Sequence, residues 1–269
     1  MPEPLGTVVY AETAPGPALA PWVRCFWHIR GAVPAGRVHR VLPDGCADVI
    51  VDLGRAPYAF AVGPMQTAAV VGMAGWVDVF GVRFHPGAAL PAFDAPLDGL
   101  RDQEVALGTL WGPLAGELED ALASAPPAQR VACAERILAR RLRAADAVAR
   151  EHAAVARAVM LVRRSRGSAG VRDVAAALGV GERWLERAFG RRVGLSPKFL
   201  ARVERFAHAV RLVDAAAAPS WTSVAYDAGY ADQAHLAREC RALAGVTPTV
   251  LAAERRGVGF VQYDDGEPS

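Results

Sequence analysis

Two of the chain's four cysteines and two of its six histidines fall between residues 25 and 46, as Cys25-x2-His28, His39 and Cys46. Thiolates and imidazoles are the ligands zinc prefers, yet these four lack a convincing tetrahedral set, so neither a metal nor a cofactor is expected. The sequence has no GxSxG, HExxH, P-loop or GxGxxG, and no catalytic residue is assigned. Asp44, in Pro-Asp-Gly, reads as a turn former, and Asp48 and Asp52 as strand ends. Recognition is the chemistry that remains. Trp27, His39, Trp76, Arg83 and His85 offer apolar walls with a few polar groups, the usual lining of a small-molecule pocket.

Those residues need a sheet to bring them together. From Thr7 to about Pro86, short apolar runs alternate with Gly, Pro and Asp, which predicts strands over 23–29, 37–42, 47–53, 58–63, 68–73 and 76–84. No helical pattern intervenes, so the sheet is expected to be antiparallel, a barrel or a sandwich. Beyond Pro86 the apolar period lengthens. Helices are predicted over 110–123 and 129–150, separated by Pro126-Pro127. From His152 onward the pattern is of short helices over 156–166, 171–178, 182–192, 197–215, 221–228 and 232–244, with a last one opened by Thr247-Pro248.

Composition sets outer bounds. With 269 residues, 52% of them hydrophobic, the chain is long enough for one large domain or two smaller ones and too apolar for general disorder. No run of about 18 uncharged apolar residues offers a membrane span, and the N-terminus lacks the basic start and apolar stretch of a secretory signal. Widely spaced cysteines without a CxxC pair also fit a reducing compartment, so the cytoplasm is expected. The formal charge of +2 hides an uneven distribution. Residues 1–149 are net −3 and the last ten net −3, while 150–259 hold 18 basic and 10 acidic residues, net +8. A surplus of that kind at one end suits a polyanionic partner.

Within the basic segment one plan occurs twice. VRDVAAALGVGERWLERAFGRRVGLSP (171–197) and WTSVAYDAGYADQAHLARECRALAGVTP (221–248) each give a short helix, a turn at Gly179 or Gly229, a second helix centred on Leu185 or Leu236, and a Gly-x-[ST]-Pro close. A short helix, a tight glycine turn and a second helix make a helix-turn-helix, whose second helix can lie in the DNA major groove. Ala175 and Ala225 let the paired helices cross closely, and the turn glycine takes a positive φ.

These residues resemble the AraC/XylS family of bacterial transcription regulators over about 155–255. The joining segment SPKFLARVERFAHAVRLVDA has that family's spacing of Pro197, Arg205, Ala209 and Leu212, and AYDAGYADQAHLAREC is close to its most recognisable stretch. The N-terminal segments PWVRCFWHIR, VLPDGCADVIVDLG, YAFAVGP and GVRFHPGAA look like an uncharacterised β-rich sensor-type domain fused to such regulators. The resemblance implies base-facing side chains: Arg183, Glu186 and Arg187 in the first reading helix, with Trp184 and Arg191 beside them, and Gln233, Ala234, Ala237 and Arg238 in the second, with His235 beside them. Arginine can hold guanine and glutamine adenine bidentately. Arg187 and Arg238 are also placed to hold phosphate alone, Trp184 to pack, and His235 to cap or pack. Two residues depart from the pattern: Gly181 stands where the family prefers a Ser cap, and Cys240 where it prefers Phe. A joining helix of about 18 residues spans roughly 27 Å, near the 34 Å of one DNA turn.

The expected fold is therefore α+β: a β-rich regulatory or ligand-sensing domain (1–108), a helical connector that dimerises the chain (109–150), an all-α double helix-turn-helix domain (151–257) and a flexible tail (258–269). The expected function is sequence-specific DNA binding under the control of a small molecule, with RNA polymerase and a second copy of the chain as further partners and no membrane partner. An alternative stays open at this point: a DNA-directed enzyme such as an alkyl-transfer repair protein, for which Cys25 or Cys46 would be the acceptors.

Overall fold

Alternation of apolar residues builds the N-terminal region around one six-stranded antiparallel sheet. The computed structural model describes residues 8–54, 56–142, 149–216 and 219–256; the expected tail, 258–269, lies outside them. The strands are β1 (Val9–Thr13), β2 (Val23–Val41), β3 (Ala47–Asp52), β4 (Tyr58–Val62), β5 (Ala69–Phe84) and β6 (Glu104–Ala106), in the spatial order β1-β2-β5-β3-β4-β6. Two pairs of runs that read as separate strands are each continuous. The runs 23–29 and 37–42 merge into β2, which ends at Val41 and whose register with β5 shifts between Val33 and Arg37, and the runs 68–73 and 76–84 merge into β5, which starts at Ala69 and passes through Gly75 at a φ of 73°. Bulges absorb the glycine and proline that looked like turns. Edge strands β1 and β6 carry too few apolar residues to have been predicted.

The sheet is a single curled layer with two different faces. Its helix side carries Phe26, Val49, Val51, Ala59, Ala61, Phe80 and Val82, all buried. They pack against helices α1 (Leu90–Phe93), α2 (Leu107–Trp111), α3 (Pro113–Ser124) and α4 (Arg130–Leu142) through Phe93, Trp111, Leu118, Leu122 and Leu138. A buried ion pair crosses that layer: Arg130 meets both carboxylate oxygens of Asp78 on β5, at 2.6 and 3.1 Å. The segment expected to be a connector is thus, as far as Leu142, part of the sheet's own core. Short apolar faces such as Leu114, Leu118 and Leu122 need a partner surface, and the sheet is the one beside them in sequence.

Among the described residues seven helices follow: α5 (Ala149–Arg164), α6 (Val171–Leu178), α7 (Glu182–Val193), α8 (Pro197–Asp214), α9 (Trp221–Asp227), α10 (Gln233–Ala244) and α11 (Pro248–Arg256). Val155, Val162, Val174, Leu185, Phe189 and Leu200 form the core of the first motif; Ala209, Val224, Ala225, Tyr230 and Leu236 form that of the second. A third core, around Val203, Phe206, Val210, Cys240 and Leu243, takes in Leu42 from the end of β2. The two regions are joined there by further polar contacts. Arg40 donates to both carboxylate oxygens of Glu254 (2.8 and 3.1 Å) and to the Ala244 carbonyl (2.8 Å), while Arg101 donates to the Gly194 carbonyl (2.7 Å).

Candidate nucleic-acid interface and sheet cavity

Each motif turns on a glycine. Gly179 ends α6 at a φ of 68° and Gly229 follows α9 at 77°, a conformation that strains a side chain even though an added β-carbon would meet nothing within 4 Å at either. The second helices then close on Gly194 and Gly245, again with positive φ. Capping differs between the copies. Asp232 accepts from the His235 N–H at 2.6 Å at the start of α10, whereas Gly181 offers α7 no side-chain bond. Beside Cys240 lies a shallow recess of about 20 Å³, half open to solvent and lined also by Phe206, Val210 and Leu251.

The side chains expected to read bases fall into three groups. Arg183, Glu186 and Arg187 on α7, and Gln233, Ala234 and Arg238 on α10, are exposed on the faces opposite the buried Leu185 and Leu236. Trp184, Ala237 and His235 are half-buried. Trp184 packs against the first motif's core, and the His235 ring stands edge-on to Tyr230 with centroids 5.1 Å apart. Arg191 stands apart: it lies in the last turn of α7, with its Nη1 3.4 Å from Glu151.

On the cavity side of the curled sheet, residues from all six strands enclose about 550 Å³. Trp27, His39, Trp76 and Arg83 line it, joined by Tyr10, Ile50, Phe60 and Met73; His85 lies outside it, beside Arg24 and His152 in a groove near α5. His85 shares the parity of Arg83, but the strand ends at Phe84, so His85 does not continue the cavity face. The floor holds a polar network absent from the sequence reading. Asp48 is the cross-strand partner of Arg83; its Oδ1 accepts from the Trp27 Nε1 at 2.9 Å and from the Arg83 Nε at 3.1 Å. Asp44 lies 3.6 Å from the Arg83 Nη1 and caps its own turn by accepting from the Cys46 N–H at 2.9 Å. Burial pushes the Asp48 carboxyl upward against the opposing pull of Arg83; burial also works to lower the guanidinium, but Asp48 and Asp44 together outweigh it and raise it further. Burial likewise lowers the His39 imidazole, with Arg255 and Arg83 adding to the shift, so that it is neutral at pH 7.

The cysteines are poorly placed for either chemistry weighed for them. Burial pushes the Cys25 thiol up to about 12 and raises that of Cys46, which suppresses the nucleophilic thiolate. His28 points to the helix side of the sheet, away from Cys25, and no group of three or more metal-ligating side chains exists among the described residues.

Two family models match the chain: a "Domain of unknown function (DUF6597)" over residues 11–106 and a "Helix-turn-helix domain" over 174–254, which spans both repeats. The chain carries an AraC-type helix-turn-helix domain. No curated protein matches the chain. Similar solved structures include the C-terminal domain of AraT, a response regulator from Geobacillus stearothermophilus (24% identity, TM-score 0.34, covering 43% of this chain and 93% of that one). They also include ToxT from Vibrio cholerae O395 bound to (E)-4-(8-methylnaphthalen-1-yl)but-3-enoic acid (10% identity, TM-score 0.44, 92% and 98%). A third is unsaturated fatty acid bound wild-type ToxT from strain SCE256 (11% identity, TM-score 0.38, 95% and 97%). The matched helix-turn-helix domain contains α7 and α10, the second helices of the two repeats, and α8, with 18 residues, which joins the repeats. Among the described residues no helix is long and apolar enough to cross a membrane.

Proposed function

We propose that the chain is a sequence-specific DNA-binding transcription regulator whose affinity for its operator is set by a small molecule held in the sheet cavity. One observation carries the regulatory half. At the end of β2, His39 and Val41 line the cavity, while Arg40 and Leu42, alternating with them, grip α10, α11 and the core beside α8. Successive strand residues point to opposite faces, so a ligand that moves this strand end moves the contacts to the second motif with it.

DNA is read in this proposal by Arg183, Glu186 and Arg187 from α7 and by Gln233, Ala234, Ala237 and Arg238 from α10, in neighbouring major grooves, with the net positive charge of residues 150–259 supplying salt-dependent attraction to phosphate. Residues 1–108 form the regulatory domain, 151–257 the DNA-binding domain, and 109–142 belong with the former because they complete its core. The reading extends to action in the cytoplasm, without enzymatic activity, and to a homodimer that contacts RNA polymerase, which paired half-sites in a footprint and transcription in a purified system test.

The deciding experiment selects fragments of the source genome on the full chain and footprints the best binder. Replacing Arg238 by Ala lowers affinity and relaxes base choice by about 1–3 kcal/mol at the contacted position. An unchanged footprint and affinity overturn the reading.

A further inference from the structure

One short loop of the sheet region touches both α7 and α10. It joins β4 to β5 over residues 63–68. Near its start, the Pro64 ring packs against Gly194, the left-handed residue that ends α7, so closely that a β-carbon at 194 would stand 2.6 Å from it. At its end, the Ala68 N–H donates to the Leu243 carbonyl, in the last turn of α10, at 2.8 Å. From Pro64 to Ala68 the chain extends at most about 14 Å, so the C-terminal ends of the two helices converge on this loop. Two arginines fasten the same ends. Arg101 donates to the Gly194 carbonyl at 2.7 Å and Arg40 to the Ala244 carbonyl at 2.8 Å. Guanidinium donors suit a helix C-terminus, whose last carbonyls have no partner within the helix and carry partial negative charge.

The loop is pinned in turn by the residue beside Arg101. The Asp102 Oδ1 accepts from the Gln66 N–H at 2.6 Å, and the Asp102 N–H donates to the Pro64 carbonyl at 3.1 Å. Asp102 does this at a φ of 55°, a left-handed conformation that aspartate tolerates and most side chains avoid. Such strain persists where the surroundings over-determine it, and here it ties Arg101 and the loop into one body. The helical domain has no equal brace within its own cores. Val174, Leu185 and Phe189 belong to one core and Val224 and Leu236 to another, with α8 joining the two repeats. Long helices bend, and a bend in α8 changes how far apart α7 and α10 stand.

Resting on the reading of α7 and α10 as the helices that contact bases, we propose that the 63–68 loop sets their separation on DNA, with Arg101 and Asp102 as positioning residues acting from the helix ends opposite the bases. Gly63 and Met65 of the loop also line the cavity, so the brace and the effector site share a wall.

The test uses the full chain, the operator recovered by selection, and two derivatives with one base pair added to or removed from the stretch between the segments that α7 and α10 cover. One base pair shifts a groove by about 3.4 Å and turns it by about 34°. A braced pair of helices cannot follow, and the chain binds each derivative at least about tenfold more weakly than the operator. Asp102→Ala removes the acceptor and disfavours the left-handed backbone; it releases the loop, and the spacing penalty falls below about threefold. Asp102→Asn keeps an oxygen and tolerates the conformation, so it retains the tenfold penalty. Should Asp102→Ala fail to fold, Arg101→Ala lowers the penalty in the same way. A chain that binds all three DNAs equally, alanine variants that keep the full penalty while weakening all three DNAs alike, or an Asp102→Asn penalty as low as that of Asp102→Ala overturns the brace and leaves sequence-specific binding standing. Absence of any specific footprint overturns both.

Discussion

The indole of Trp27 lies across Gly81 on the neighbouring strand, so close that a β-carbon at 81 would stand 2.0 Å from Cε2 and 2.4 Å from Nε1. The same Nε1 donates to Asp48, so the glycine fixes both the cavity wall and the floor network. Gly81→Ala forces the ring aside and breaks that bond. We predict a loss of about 1–3 kcal/mol in stability, the usual cost of overpacking, together with loss of ligand binding at the cavity. Urea denaturation and calorimetry measure the two effects. Unchanged values for both would contradict the packing described.

Much of this was legible in the sequence, and what was not has physical causes. The two helix-turn-helix units were readable because a turn glycine, a buried leucine and a Gly-x-[ST]-Pro close are local signals repeated at fixed spacing. The runs forming β3 and β4 were equally local. Continuity of β2 and β5 was hidden, since a bulge tolerates the Pro34-Ala35-Gly36 that otherwise marks a turn. In local sequence Asp44 and Asp48 look like turn and strand-end residues, and Asp44 does cap a turn. Their meeting at Arg83 depends on β3 pairing with β5 across the chain, a register that no local pattern encodes. His85 was misplaced for the complementary reason: without knowing where β5 ends, its face could not be assigned.

Leu42 is fully buried, yet its neighbours are Val203, Phe206 and Leu243 of the AraC-type domain. Leu42→Ala leaves a hole in that core, and we predict about 2–5 kcal/mol of destabilisation. Because the hole opens between the two regions, hydrogen exchange should rise in α8 and α10 more than in the sheet. Protection lost mainly from β2 and β5 would show that Leu42 belongs energetically to the sheet.

Acid should weaken the fold through its histidines. Burial is the largest cause of a lowered imidazole at His28, His39, His85, His152 and His208, and His85, flanked by Arg24 and Arg163, is brought from 6.5 down to about 4. Between those values the unfolded chain takes up protons that the folded chain refuses. Stability from the neutral rings is therefore complete above about pH 6.5 and is lost as the pH falls toward 4. Urea midpoints measured from about pH 7.5 down to 5 should decline, and His85→Gln should flatten the slope. A midpoint independent of pH over that range would contradict the assignment.

Arg187 and Arg191 stand one turn apart on α7, and they should differ in what they contribute to DNA. Arg187 is exposed in the half of the helix that starts at Glu182, and residues near the N-terminus of a recognition helix are those that reach base edges. Arg191 lies in the last turn, beside Gly194, which Leu97 and Pro64 of the N-terminal region crowd, and its guanidinium is drawn to Glu151 at 3.4 Å. Glu151 also holds the buried Arg192 at 3.0 Å, so removing Arg191 leaves that carboxylate paired and costs little stability, in keeping with the 0–1 kcal/mol or so of an exposed ion pair. We predict that Arg187→Ala reduces specific affinity by about 1–3 kcal/mol and, if it reads a base, relaxes selection at one position; if it holds phosphate, the loss is uniform across sequences and the salt slope falls by about 1. Arg191→Ala should leave both affinity and slope close to those of the unaltered chain. Equal losses for the two variants, measured by titration of one operator at several salt concentrations, would place Arg191 on the DNA and α7 deeper in the groove than its contact with Glu151 permits.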